Sequence, residues 1–348
     1  MNSRLSIMIA TRDREEDLRR TLQELTCLES IVAETLVVDD GSKANLREVL
    51  GPEFSSVQFL RFEECAGQSK RRSQAFERLG TEFILQLDDD SAPVDRDSVV
   101  SALEFLESHR SIGALAFYIY NGQELPKDLG VPSPRFHHSF VGCGVLFRSA
   151  ALREVGGYQS FFQSEWEEEE LALRLIKGGW AIYFFPSVLI HHRVSPANRN
   201  SARTWMRGFR NKLWAMVMHY PLSRVALEGT WVLVIAALDA VRLVRFRYLI
   251  QGVWQCMLGL PRVWRLRKPM SHLAMARWDA LRFRGVYSAN EYECPPSLQL
   301  ADFIRWVRNW WNRPRERSFW DSRKGDIGTC ETVQFAHQKA SDSLHGKK

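Results

Sequence analysis

An α/β domain followed by a helical region is the architecture this sequence predicts, and three observations predict it. Over the first 190 or so of 348 residues, short β-branched or aromatic runs alternate with helical stripes. From about Arg199 the alternation stops, and helical patterns rich in Arg and Trp take over. The charge divides at the same place. Residues 1–198 balance to −9 and residues 199–348 to +15, a split hidden inside a formal net charge of +6.

Composition bounds the rest. The length suits about two domains on a prior of roughly 150 residues each. A chain that is 45% hydrophobic, 25% charged and 11% aromatic is ordinary globular protein. That excludes a wholly disordered, collagen-like or disulfide-scaffold chain. The six cysteines are scattered without a CxxC pair, which favours a reduced cytoplasmic protein over a disulfide frame or a zinc site. The apolar run at residues 5–9 is too short for a signal sequence. The most apolar stretch, 231–238, is bracketed by Glu228 and Asp239. It falls well short of the roughly 20 residues a membrane span needs.

In chain order, strands are expected at residues 5–9, 35–38, 57–62, 83–87, 112–118, 141–147 and 181–185. Leu18, Leu22 and Leu25 form a helical stripe, with Asp13 to Glu16 before it in the form of a capping box. Val99, Val100, Leu103 and Leu106 form a second stripe. Leu171, Leu175 and Ile176 form a third, ended by Gly178-Gly179. Further helices are expected at 204–219, 222–244, 248–258 and 300–311, punctuated by Pro221, Pro261, Pro269 and Pro295-Pro296. The polar residues from 318 onward read as a loose tail.

Polar groups follow three of the expected strands: Thr11, Asp39-Asp40-Gly41-Ser42 and Asp88-Asp89-Asp90. Open α/β sheets bind ligands outside the carboxyl ends of their strands, so the three groups are directed toward one site. Three adjacent carboxylates repel one another unless a cation or donors compensate. With a diphosphate they suit Mn2+ or Mg2+; alternatively they form a solvated acidic turn before Pro93. Asp39-Asp40-Gly41-Ser42 reads either as a plain turn or as a carboxylate accepting from a nucleobase or ribose.

Glu167 to Glu170 open a helix, where the macrodipole favours acids; one of them held near a hydroxyl could instead serve as a general base. His191-His192 follow a strand, either as surface histidines or as metal ligands. Arg71-Arg72 open a helix, either exposed or facing a diphosphate.

Taken in order, these pieces resemble the family 2 glycosyltransferases, an inverting group with the GT-A fold. The matching strings are residues 9–18 around Thr11, 36–42, 67–72, 87–90, 141–148 with Gly142-Cys143-Gly144, 152–158 with Gly156-Gly157, Glu167-Glu168 with 171–175, and His191-His192. The resemblance covers about residues 3–195, and residues 203–221 with Arg210-Asn211 resemble a tail of rhamnosyltransferase-like members.

The resemblance implies a GT-A catalytic domain over 1–200, a Rossmann-like mixed sheet flanked by helices. A helical region over 201–317 and a flexible tail over 318–348 would follow. It implies that Thr11, Asp40, Arg72, Asp88 and Asp89 hold the nucleotide sugar, with Asp40 on the base. Asp88, Asp90 and His191 would hold the metal, and Glu168, or else Glu167, would be the catalytic base. Two departures stand out. Ala10 replaces the usual Pro, and the usual Glu-Asp pair is Glu-Glu within a run of four.

The expected activity is metal-dependent transfer of a sugar from a dTDP- or UDP-linked donor to a glycan or lipid-linked acceptor, as in cell-surface polysaccharide synthesis. The alternatives are a non-catalytic nucleotide-sugar- or glycan-binding relative, or a nucleotidyltransferase. The latter would need an early Gly-rich triphosphate loop, and residues 10–20 contain no glycine. The basic back half either braces the catalytic domain or holds it peripherally on the inner face of a membrane. It carries no recognised nucleic-acid motif, and the acidic front would oppose a nucleic acid.

Overall fold

The computed structural model describes residues 4–126, 129–195 and 200–296. The helix expected at 300–311 and the tail from 318 lie outside them. The strands are β1 (Leu5–Thr11), β2 (Val32–Asp40), β3 (Gln58–Phe62), β4 (Phe83–Asp88), β5 (Ser91–Pro93), β6 (Ile112–Asn121), β7 (Arg135–Phe136), β8 (Gly144–Arg148) and β9 (Ala181–His192). The helices of the front half are α1 (Glu15–Glu24), α2 (Leu46–Leu50), α3 (Gln68–Arg78), α4 (Arg96–Ser108), α5 (Ser149–Val155) and α6 (Glu167–Lys177). Those of the back half are α7 (Ser201–His219), α8 (Leu222–Arg242), α9 (Phe246–Arg265), α10 (His272–Phe283) and α11 (Ala289–Glu293).

One mixed sheet runs in the order β3-β2-β1-β4-β8-β6-β9-β5, with β7 beside β9. β3, β2, β1 and β4 are mutually parallel; β8 runs against both β4 and β6; β9 is parallel to β6. Strands covered on both faces carry continuous apolar runs rather than alternation. β1 and β4 meet that condition, being buried nearly throughout.

Several expectations shift at their edges. β1, β2 and β4 run on to Thr11, Asp40 and Asp88, so the site residues are the last paired residues of their strands rather than the first loop residues. Asp13 does not cap α1. Arg14 occupies the cap position but its side chain does not cap the helix, while Asp13 adopts φ +50° and accepts from the Lys43 amide at 2.8 Å. β8 begins only at Gly144, because Val141 and Gly144 close a turn through a 3.1 Å backbone bond. β9 passes through Pro186, where the register with β6 shifts, and continues to His192. A proline is accommodated in a strand at such an irregularity.

The back half is helical to residue 293, and α10 and α11 were not anticipated. α7 is buried along most of its length, with Trp205 and Phe209 fully enclosed. α9 lies close against it at two glycines. A Cβ on Gly252 would come within 2.2 Å of Phe209, and one on Gly259 within 2.4 Å of Trp214. Pro261 does not stop α9, and it sits on the exposed side of the helix. Among the described residues no helix is long and apolar enough to cross a membrane.

Candidate active site

The parallel register lines up the strand ends. Thr11 pairs with Asp39 across β1 and β2, and Ala10 pairs with Asp88 across β1 and β4. Thr11, Asp39-Asp40 and Asp88-Asp89-Asp90 therefore converge at the carboxyl edge of the sheet, where a crevice forms in open α/β folds.

The three consecutive aspartates have different surroundings. Asp88 is the open one, its side chain 30% exposed, and it accepts from Arg72 Nη2 at 2.6 Å. Asp89 is buried; Thr11 Oγ1 donates to it at 2.7 Å and Arg14 Nη1 at 2.8 Å. Burial is the main influence on Asp89. With the adjacent Asp90 charge it outweighs Arg14 and Thr11, pushing the carboxyl up to about 6. Asp90 is also buried, which by itself would raise its pKa. The hydrogen bond and charge of His192, the Ser195 amide at 2.8 Å and Arg14 overcome this and hold the carboxyl well below the usual range.

The histidine that reaches this cluster is His192, not the expected His191. Neighbouring residues of a strand point to opposite faces, and in β9 this sends them apart. His191 Nε2 lies 2.8 Å from the Gly122 carbonyl, whereas His192 Nε2 lies 3.1 Å from Asp90 Oδ1. Burial opposes the His192 charge, yet Cys143 and Asp90 together raise its pKa to about 10.

Ligand atoms of Asp88, Cys143 and His192 all lie within 4.8 Å of one another. The carboxylate suits Mg2+ or Mn2+, and the imidazole adds a nitrogen that Mn2+ takes more readily than Mg2+; a soft thiol suits neither. Asp88 and His192 therefore fit such an ion, and Cys143 does not.

Asp40 is committed to the chain itself. It accepts from the amides of Ala66 at 2.7 Å and Gly67 at 2.9 Å, from Arg71 Nε at 2.6 Å and from the Cys65 thiol at 3.2 Å. Burial opposes its ionisation, but these donors prevail and hold the carboxyl below its ordinary value. A base contact from Asp40 would have to displace one of them. Gly41, at φ +78°, makes the turn close: a Cβ there would stand 3.1 Å from the Cys65 nitrogen. Asp39 accepts from the Ser42 amide at 2.8 Å, and its buried Oδ2 has no hydrogen-bond partner among the described residues.

The acidic run divides by helical position. Glu170 faces inward between Arg174 and His219, at 2.8 Å and 2.9 Å, and joins α6 to α7. Glu167 and Glu168 face the site. Glu168 Oε1 accepts from the Gly142 amide at 2.7 Å, and Glu167 Oε1 accepts from Gln68. Arg72 stands between the strand-end Asp88 and the helix-start pair Glu167 and Glu168. It is buried, bonded to Asp88, and 3.7 Å and 3.9 Å from Glu167 and Glu168. Burial disfavours its charge, but Asp88 foremost keeps its pKa above the usual Arg value. Glycine at position 142 leaves room for this contact. A Cβ there would fall 2.5 Å from Glu168 Oε1 and 2.7 Å from Arg72 Nη1.

Sequence reasoning offered His191-His192 as a pair but assigned the metal to His191, and it gave no role to Arg14, Gln68, Gly142, Cys143 or Asn211. His192 could have been preferred to His191 by counting alternation along a longer strand. Asn211 stood out only within the resemblance of residues 203–221, and its role was not legible because its partners lie 46 to 49 residues away.

Residues 6–151 match the family described as Glycosyl transferase family 2. No curated protein matches the chain. Among solved structures, S. aureus TarS 1-349 in complex with UDP-GlcNAc is similar over 80% of this chain and 86% of that one, at 14% identity and a TM-score of 0.54. GalNAc-T7 with UDP, GalNAc and Mn2+ is similar over 62% of this chain, at 15% identity and a TM-score of 0.52. The match covers 48% of that GalNAc-T7 chain, so this chain spans about half its length. At such identities the likeness speaks for the fold. The chain thus has a mixed sheet with helices of the GT-A fold, and its residues 6–151 resemble Glycosyl transferase family 2.

Proposed function

We propose that the chain is an inverting, metal-dependent glycosyltransferase that moves a sugar from a nucleoside-diphosphate donor to a glycan or lipid-linked acceptor. One observation carries this reading. Arg72 links the strand-end carboxylate Asp88 to Glu167 and Glu168 at the start of α6, so a diphosphate-facing group and a candidate base share one crevice. The family match supports the reaction class. The two similar structures, recorded with UDP-GlcNAc and with UDP, GalNAc and Mn2+, favour a UDP-linked donor over a dTDP-linked one. The likeness of residues 203–221 to rhamnosyltransferase-like proteins is the argument for dTDP-rhamnose.

In this reading Thr11 and Arg14 hold Asp89 and so set the floor of the nucleotide site. Asp40 fixes the turn at 65–67 that walls the nucleoside. Asp88, with Asp90 and His192, would hold Mn2+ or Mg2+, which when bound neutralises charge on the diphosphate leaving group. Glu168 takes the proton of the acceptor hydroxyl as that oxygen bonds to the anomeric carbon. The bond from that carbon to the diphosphate oxygen breaks on the opposite face, and the configuration inverts. A single base without a covalent intermediate parallels inverting glycosidases. Arg72, 3.9 Å from Glu168, and the Gly142 amide hold that carboxylate in place.

A thermal-shift panel of UDP-, dTDP- and GDP-sugars, with and without Mn2+, tests donor binding, because a ligand that prefers the folded state raises its melting temperature. One donor should stabilise the chain, more so with the ion, and its transferred sugar should carry the opposite anomeric configuration. No shift from any donor, or retention of configuration, overturns the proposal.

A further inference from the structure

α8 is amphipathic in the reverse of the usual sense. Its acidic residues Glu228 and Asp239 turn toward the protein; Asp239 is buried and accepts from Trp205 Nε1 at 3.4 Å. The outward face from Ala226 to Val241 instead carries Leu227, Trp231, Val234, Leu238 and Val241, spaced three or four residues apart, with no charged side chain among them. Leu227 is 74% exposed and Val241 63%. α9 repeats the arrangement with Phe246, Ile250, Trp254, Met257, Leu258 and Trp264, Ile250 being 70% exposed. A soluble helix puts charge where these two helices put Leu, Ile and Trp.

The charges around this face have one sign. Between residues 222 and 271 the only acids are Glu228 and Asp239, neither of them exposed, whereas Arg242, Arg245, Arg247, Arg262, Arg265 and Lys268 stand at the ends of the two helices. A second copy docked through a two-fold axis would set those cations against the same cations. An anionic lipid surface meets both demands: its headgroups pair with Arg and Lys, and its acyl boundary takes Leu, Ile and the indole rings.

We propose that the outer face of α8 and α9 lies flat on an anionic lipid bilayer, with its apolar side chains in the interface and its Arg and Lys rim at the headgroups. The face adjoins the site: Arg262 on α9 stacks over the Phe161 ring at 4.4 Å, five residues before Trp166 and the Glu167-Glu168 pair. The inference rests on the surface alone and stands whether or not the chain transfers a sugar.

Flotation of the full chain with vesicles tests it. Vesicles with about a third phosphatidylglycerol should carry the protein upward, at least tenfold more than neutral phosphatidylcholine vesicles, and high salt should weaken the binding. Leu238→Glu combined with Ile250→Glu should reduce flotation at least tenfold with the circular dichroism and melting temperature retained. Arg242→Glu with Arg265→Glu should do the same while leaving the apolar face intact. No flotation of the wild-type chain overturns the proposal, whether residues 297–348 or a second copy covers the face. Equal flotation with neutral vesicles overturns its electrostatic part, and a dimer that Leu238→Glu dissociates, without flotation, assigns the face to self-association.

Discussion

The side-chain amide of Asn211 on α7 lies 2.6 Å from the carbonyl oxygen of Glu165, two residues before the first glutamate of α6. The same nitrogen donates to the carbonyls of Ser164 at 2.8 Å and Phe162 at 3.0 Å. That segment needs holding, because Gln163, Glu165 and Trp166 all take left-handed φ angles near +65°. Such non-glycine conformations cost on the order of 1–3 kcal/mol each and persist only where their surroundings enforce them. Helix α7 thus sets where α6 begins, and with it where Glu167 and Glu168 sit.

Replacing Asn211 with Ala removes the two N–H donors that these carbonyls share, at a cost of about 1–3 kcal/mol. If the loop positions the base, transfer should fall roughly tenfold or more through kcat, with KM for the donor little changed. Steady-state kinetics beside a thermal melt check this. An equal fall in stability with unaltered kcat would make Asn211 a purely structural residue.

Gly142→Ala inserts a methyl group between Glu168 and Arg72, within 2.5 Å of the carboxylate oxygen. The helix and sheet should survive, since the clash is with side-chain ends. Transfer should drop at least tenfold as Glu168 is pushed off the Gly142 amide. Activity and melting temperature measured together separate these outcomes, and an Ala variant of full activity would show that this contact does not matter.

Glu170 should behave differently from its neighbours. Burial works against its charge, but Arg174 and His219 overcome this and lower its pKa from 4.5 to about 2. A carboxyl whose pKa is depressed on folding contributes stability above its unfolded value and loses that contribution as pH falls toward the folded value. The contribution is therefore full above about pH 4.5 and fades between there and pH 2. Glu170→Ala should cost about 3 kcal/mol at pH 7, because it strands Arg174 in the interior. The difference from wild type should shrink on acidification over that range. Denaturant melts at several pH values check the sign; a constant difference would contradict it.

Much of this arrangement is legible in the sequence, and the reasons are physical. The runs containing Thr11, Asp40 and Asp88 are short, apolar and bounded by turn residues, so both the strands and the convergence of their ends follow from local pattern. The acids of α6 fall where a helix N-terminus favours them. What local pattern misses is set by partners distant in the chain. β9 outlasts Pro186 because β6 pairs along it, and that extension decides which histidine faces Asp90. Asp13 looks like a cap, yet the Lys43 amide across the crevice claims it. Asp40, expected on a nucleobase, instead closes the turn before α3. Up to residue 296 the basic back half is helical as its pattern predicts, but only burial shows that the apolar stripe of α8 faces outward.

Glu168→Gln is the most direct test of the central claim. The substitution keeps the size of the side chain and the acceptor for the Gly142 amide, and removes only the basic carboxylate. Measured in a single-turnover transfer assay with donor binding followed in parallel, it should lower the rate roughly 10²–10⁴-fold, the scale of general-base catalysis, while donor affinity and melting temperature stay near wild type. Near-wild-type turnover in a variant that still binds donor would contradict the assignment of Glu168 as the base.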